Sequence, residues 1–357
     1  MDKKTVLITG GAGFVGSSLA LLFKKKYPGL RIICLDNLKR RGSELNLRRL
    51  KRGMIEFIHG DIRNREDLAF EGIGIDAIIE CSAEPSVLAG YTSSTDYLLN
   101  SNLVGTINCL QLAREKMSDF VFISTSRVYP VEKLNALKCE ESPSRFTLLD
   151  RQPYPGATAE GIGDSFPLDG YRSLYGATKL ASELLIHEYV HMFGLRSVIN
   201  RCGVITGPWQ MGKVDQGVVV LWMVRHYFKK DLSYIGFGGE GKQVRDLLHI
   251  NDLFGLIDIE LNDMEKFNNR VYNVGGGVDV SLSLLEATTI CQDITGNRIR
   301  IDNVVENRKD DIKVYITDNT RVTEETGWRP EIGVEETMKD IFDWISENEQ
   351  EIRDILL

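Results

Sequence analysis

The chain has 357 residues, 43% of them apolar and 26% charged, with a formal net charge of −8. That length supports one large domain or two modest ones, of ordinary globular composition. The acidic balance argues against a nucleic-acid partner, which requires a basic face, and no stretch approaches the roughly 18 apolar residues of a membrane span.

The start, Met1-Asp2-Lys3-Lys4, leads straight into an apolar run, so no signal peptide is expected. The run Thr5-Val6-Leu7-Ile8 predicts a strand over 4–9. Thr9-Gly10-Gly11-Ala12-Gly13-Phe14-Val15-Gly16 follows as a glycine turn, then a predicted helix over 14–26. A second apolar run, 31–36, ends at Asp36, 20 residues beyond Gly16. Glycines let the backbone turn tightly and approach a pyrophosphate, and a helix N-terminus offers it amides and a partial positive charge. A carboxylate at the next strand end accepts hydrogen bonds from a ribose diol and repels a 2′-phosphate. This context points to NAD. Arg40 and Arg41 read as solvated loop charge, although they leave some room for NADP.

Further strands are predicted at 55–60, 76–82, 119–125, 196–202 and 271–274, and helices at 43–52, 64–70, 96–117 and 174–193. Such alternation predicts an α/β fold, a Rossmann-type doubly wound parallel sheet. Residues 131–170 hold four prolines and little periodicity, and read as an insertion near the active-site mouth. Helices near 213–229, 282–295 and 334–352 predict a smaller mixed C-terminal lobe for substrate. The expected division is therefore 1–200 for cofactor and 201–357 mainly for substrate, with 245–276 returning to the Rossmann core.

Ligands bind beyond the carboxyl ends of parallel strands, where Asp36, Asp61, Ser82, Ala83, Thr125 and Arg201 fall. On the predicted helix 174–193, Tyr175 and Lys179 are four apart and share a face. A nearby ammonium favours the phenolate, so Tyr175 is a candidate general base for a sugar hydroxyl. A second Tyr-x-x-x-Lys, Tyr129 to Lys133, contains Pro130 and is not expected to be helical. Ser124-Thr125-Ser126 ends a strand, where a hydroxyl can share the substrate proton. The five histidines have no ligand spacing converging with carboxylates, and no metal is expected. The six cysteines (34, 81, 109, 139, 202, 291) lack Cys-x-x-Cys spacing and fit buried thiols in a reducing compartment, the cytoplasm.

Together the glycine turn, Asp36, Asp61, Asn102-Leu103-Val104-Gly105-Thr106, the hydroxyl strand end and Tyr175/Lys179 resemble the extended short-chain dehydrogenase/reductase family, and within it the nucleotide-sugar epimerases and dehydratases. The stretches 170–179 and 238–249, with the insertion before Tyr175, are most similar to the CDP-paratose (CDP-tyvelose) 2-epimerase subgroup. The resemblance implies that Gly10, Gly13, Phe14, Val15 and Gly16 cradle the pyrophosphate. Asp36 and Asn37 would hold the adenosine ribose, and Asp61 and Ile62 would flank the adenine. Ser82, Ala83 and Asn102 would line the nicotinamide side, with Tyr175 and Lys179. Thr125, Tyr175 and Lys179 would form the catalytic triad. Arg245 and Arg308 would clamp a nucleotide diphosphate, since guanidinium binds its oxygens in a planar fork. Ser126, Arg201 and Gln243 are placed on the substrate side with them. The resemblance also implies a homodimer.

Two departures matter. The family's 4,6-dehydratases place Asp-Glu after the catalytic threonine, whereas this chain has Ser126-Arg127, which argues against water elimination; the 2-epimerase subgroup often has Asn-Lys there. Val204 stands where many relatives carry Asn. The reading is an NAD-dependent nucleotide-sugar epimerase that oxidises its substrate transiently, lets the keto-sugar rotate and reduces it again. A CDP-sugar 2-epimerase is the first choice. A UDP-sugar 4-epimerase, a net dehydrogenase and a catalytically silent nucleotide-binding protein stand as alternatives.

Overall fold

Strands covered by helices on both faces bury on both sides and read as near-continuous apolar runs. The predicted runs become β1 (Thr5–Thr9), β2 (Arg31–Asp36), β3 (Glu56–His59), β4 (Ala77–Glu80), β5 (Asp119–Thr125), β6 (Ser197–Cys202) and β7 (Arg270–Val274). In this computed structural model, which describes residues 3–91, 93–212 and 216–356, they form one seven-stranded parallel sheet. Its order is β7-β6-β5-β4-β1-β2-β3. The order reverses between β1 and β4, which opens a crevice beyond their carboxyl ends. Leu7, Ile33, Ile78 and Phe120 make a continuous buried cluster with Leu110 and Ile186 of the covering helices.

The helices Phe14–Lys26, Ser43–Arg52 and Leu174–Phe193 match their predicted spans. The segment 64–70 keeps only a short 3-10 turn, Arg65–Leu68. The predicted helix 96–117 is broken into Asp96–Leu99, a wide turn over Asn100–Val104 and Gly105–Lys116. Single wide turns of this kind recur at functional sites. Here Asn102 lies inside the turn, and its carbonyl accepts from the hydroxyls of Thr106 (2.9 Å) and Ser182 (3.1 Å).

The chain groups into two units. The first holds residues 1–128, 174–201 and 253–272; the second holds 129–173, 202–252 and 273–357. This division differs from 1–200 and 201–357. Residues 129–173 pair with C-terminal segments (Val131–Asn135 reaches Asp311 and Lys313 through Asn135), and the returning stretch is 253–272 rather than 245–276. Nor is that segment structureless. It holds the helix Val131–Asn135 and two small hairpins, Cys139–Glu141 with Phe146–Leu148 and Ala157–Thr158 with Gly161–Ile162. Pro130 precedes the helix rather than interrupting it, a position where its missing N–H costs nothing. Tyr129 thus lies outside the helix that carries Lys133. Its hydroxyl donates to Asn273 at 2.7 Å, while Lys133 pairs with Asp169.

In the second unit, Val204–Thr206, Val244–His249, Ser281–Ser283 and Val314–Tyr315 make a small mixed sheet. Leu232–Ile235 pairs with Ile301–Val304. The helix expected at 213–229 runs from Val218 to Tyr227, and residues 213–215 lie outside the described residues, as do Met1 and Asp2. Val219 to Val224 are buried, so this helix is core. The helix predicted at 334–352 is two, Val334–Glu347 and Glu349–Leu356. Leu284–Thr295 begins at a capping box in which Ser283 and Glu286 each satisfy the other's backbone amide. Among the described residues, no helix is long and apolar enough to cross a membrane.

One buried acid in the first unit gives the fold a pH dependence. Glu260 is fully buried and accepts from Asn200 at 2.9 Å. Burial pushes its carboxyl from the usual 4.5 up to about 8. A raised folded-state value means the folded protein keeps a proton that the unfolded chain releases. This stability is therefore full below pH 4.5 and falls as pH rises toward 8, by roughly 1.4 kcal/mol per pH unit within that window. Glu260→Gln is expected to flatten that slope in denaturant titrations run at intervals from pH 5 to 8.

Candidate functional site

The glycine turn follows β1 because Gly10 adopts φ +64, a left-handed conformation that only glycine enters at little cost. A Cβ on Gly10 would sit 2.9 Å from the Cys81 carbonyl and the Ser82 amide. The turn is thereby seated against the end of β4, and Ser82 and Ala83 flank it. A Cβ on Gly16 would sit 2.3 Å from the Gly10 carbonyl oxygen. The helix starting at Phe14 has Gly13 as N-cap, and no side chain caps it. Its first amides and partial charge therefore face an approachable backbone turn. These are the features that a dinucleotide pyrophosphate requires, so the residues present fit NAD.

Asp36 closes β2 beside this turn. Its carboxylate accepts from the amides of Ala12 (3.0 Å) and Leu38 (2.8 Å). Burial raises its pKa, and those amides with Gly13's oppose the rise. Asn37 donates to Asp61 at 2.9 Å, which ties the ends of β2 and β3 together. For Asp61, burial alone would raise the carboxyl, but the Arg63 fork and Asn37 hold it below its ordinary value. Arg63 also lies 4.8 Å from the Tyr97 ring centre. Ile62 is buried and packs against Gly105, where a Cβ would meet it at 2.4 Å. Asn102 is fully buried: its carboxamide takes the Glu84 amide at 2.7 Å and donates to the Glu84 carbonyl and to Thr178. It anchors the loop after β4 to the helix that carries Tyr175.

Thr125 ends β5, 8% exposed, and its hydroxyl accepts from the Arg127 amide at 3.2 Å. Ser126 lies in the half-buried turn that follows. Tyr175 and Lys179 stand one turn apart on Leu174–Phe193, both buried. Lys179 Nζ lies 4.2 Å from the Phe122 ring centre and 3.7 Å from a Glu80 oxygen. Next to Thr125, Ser124 donates to Glu183 at 2.5 Å. Glu183 is one turn beyond Lys179 and forms a fork with Arg201, at 2.7 and 3.1 Å. Arg201 is 6% exposed, and this engagement ties it into the core of the unit.

In the second unit, Arg245 is held by Asp311 at 3.1 Å and by the carbonyls of Ile312 (2.6 Å) and Val244 (2.7 Å). Asp311 closes a turn on the Arg308 carbonyl at 3.3 Å. The strand Val244–His249 and the strap 308–313 thus bring the two arginine segments together. Gln243 is buried and donates to the Ile235 carbonyl at 3.1 Å.

Several residues escaped the sequence reading. Asn46 is buried and donates to the Ala12 carbonyl at 2.8 Å, bracing the glycine turn. Asp311 and Glu183 act through neighbours distant in sequence, which no local pattern reveals. Glu80 had a signal: it is a charge at the end of the apolar run Ala77-Ile78-Ile79.

The profile of the NAD dependent epimerase/dehydratase family matches residues 6–275. The chain is 31% identical to the CDP-paratose 2-epimerase of Salmonella typhi, over 96% of this chain and 99% of that protein. It is 27% identical to the UDP-glucuronate 4-epimerase of Thermodesulfobacterium geofontis, over 98% of both. Among solved structures, the dTDP-glucose 4,6-dehydratase DesIV of Streptomyces venezuelae, a double mutant with NAD bound, superposes with a TM-score of 0.78 at 27% identity, covering 98% of this chain and 99% of that one. NAD is the cofactor of this fold and of its relatives. The chain belongs to the NAD dependent epimerase/dehydratase family.

Proposed function

We propose that the protein is a nucleotide-sugar epimerase acting on a CDP-linked sugar at C2. The observation that carries the reaction class is the pair Ser126-Arg127 after Thr125, which lacks the carboxylic acid that water elimination requires. The similarity to a CDP-paratose 2-epimerase along nearly the full length of both chains supports the sugar nucleotide.

In this reading Tyr175 takes the proton of the sugar hydroxyl and later returns it. Lys179 favours the phenolate form, and Thr125 hydrogen-bonds the same hydroxyl. The glycine turn and Asp36 would hold NAD, which when bound would supply the hydride acceptor and donor. Arg245 and Arg308 neutralise the diphosphate, Gln243 and Ser126 line the substrate, and release of the sugar from one facial contact lets its other face turn inward. The exposed Leu184, Met192 and Phe193 of the helix Leu174–Phe193 support a homodimer, and six cysteines with no disulfide among the described residues support a reducing, cytoplasmic setting.

A UDP-sugar 4-epimerase is the second reading, favoured by the similarity to the UDP-glucuronate 4-epimerase. Purified protein given CDP-paratose and, separately, UDP-glucose and UDP-glucuronate is expected to convert only the first, with the C2 epimer resolved by NMR. Conversion of a UDP-sugar alone would transfer the assignment to the second reading.

A further inference from the structure

We propose that Glu80 is a positioning residue for Lys179: its carboxylate holds the ammonium in the dry core of the first unit and moderates the positive field that Lys179 places on Tyr175. This rests on the reading of Tyr175 and Lys179 as the proton-handling pair.

Glu80 ends the central strand β4 and is 0% exposed, while Lys179 is 2% exposed. In the sheet its partners are Thr9 of β1 and Phe122 of β5. Both carboxylate oxygens lack a hydrogen bond of good geometry, although Thr106 and the Ser82 amide lie close. The contact that meets its charge is Lys179 Nζ at 3.7 Å. A buried ion without a partner is strongly disfavoured, so each of these two residues needs the other. Phe122 completes the cradle, with its ring 4.2 Å from the same nitrogen.

The surrounding charges make this pairing specific. On the helix Leu174–Phe193, Glu183 faces the same side as Lys179 but is forked by Arg201. From Gly105–Lys116, Cys109 faces Glu80, and burial pushes its thiol well up, with Glu80 adding to the rise; Arg65 acts on it from further out. β1 contributes the hydroxyl of Thr9 and β5 an uncharged ring. Glu80 is therefore the anion that meets Lys179. For Glu80 itself, burial raises the carboxyl, and Lys179 draws it back toward the ionised form.

Two measurements test the inference. The first is a phenolate-absorbance titration of the holoenzyme, taken as a difference from the Tyr175→Phe variant so that Tyr175 alone is read. Glu80→Gln keeps the shape and removes the charge, and the Tyr175 midpoint is expected to fall by about one pH unit. An unmoved midpoint overturns the moderating role. The second is a thermal-stability cycle of wild type, Glu80→Gln, Lys179→Met and the double variant. Each single change is expected to lower Tm, and the double variant is expected to recover most of the loss. A double variant no more stable than the worse single overturns the pairing, whether or not the singles fold. Full turnover by Tyr175→Phe would instead remove the catalytic reading while leaving the cycle a valid measure of the Glu80–Lys179 pair.

Discussion

Tyr175→Phe is expected to lower kcat by roughly 10²- to 10⁴-fold, the usual contribution of a positioned general base, while fold and bound NAD are retained. The change deletes one oxygen. The ring stays in its buried place on Leu174–Phe193, and the helix keeps its anchors through Ser182 to the Asn102 carbonyl and through Glu183 to Ser124. Loss of rate with unchanged Tm and cofactor content is thus a statement about proton transfer rather than packing. Turnover followed by NMR, with NAD released from denatured protein and counted, checks it. A Phe variant as fast as wild type would mean that another group takes the proton.

Gly16→Ala is expected to cost the protein its cofactor. An added Cβ would lie 2.3 Å from the Gly10 carbonyl oxygen and 2.9 Å from its carbon. Both are backbone atoms of a turn already pressed against Cys81 and Ser82, so neither has room to retreat. Overpacking of this kind typically costs about 1–3 kcal/mol, which corresponds to roughly five- to 150-fold weaker binding if the turn opens. The purified variant should carry little NAD, with far-UV circular dichroism near wild type. Gly29→Ala is the control: a Cβ there meets nothing within 4 Å, and its NAD content should be unchanged. Equal NAD in both variants would show that the turn does not govern cofactor retention.

The glycine turn and the strand ends around it were legible because their parts are local. A buried parallel strand is an unbroken apolar run, so β1, β2 and β5 read cleanly, and Gly10, Gly16 and Asp36 follow at short, fixed spacings. The helix Leu174–Phe193 was legible for the same reason, and with it the shared face of Tyr175 and Lys179. The wide turn at Asn100–Val104 was not, because backbone widening leaves the apolar period almost intact. The short elements of 131–170 were equally hidden: two- and three-residue strands are too short to show a period, even though they pair locally, Cys139–Glu141 with Phe146–Leu148 and Ala157–Thr158 with Gly161–Ile162.

Charge was the least legible property. Arg201 and Arg245 look alike in sequence, each at or within a strand. Only the fold gives Arg201 to Glu183 in a dry core and leaves Arg245 among Asp311 and backbone carbonyls beside the Arg308 turn. Glu80 showed as an odd charge after Ile79, but its meaning came from a lysine 99 positions later. The sequence by itself determined the α/β class, the glycine turn and the Tyr175/Lys179 face, since each depends on backbone conformation and helical or strand period within a few residues. Tertiary structure alone decided which ions are paired, which acids are buried and which segments group together. Those outcomes depend on desolvation and long-range contact, and neither has a period along the chain.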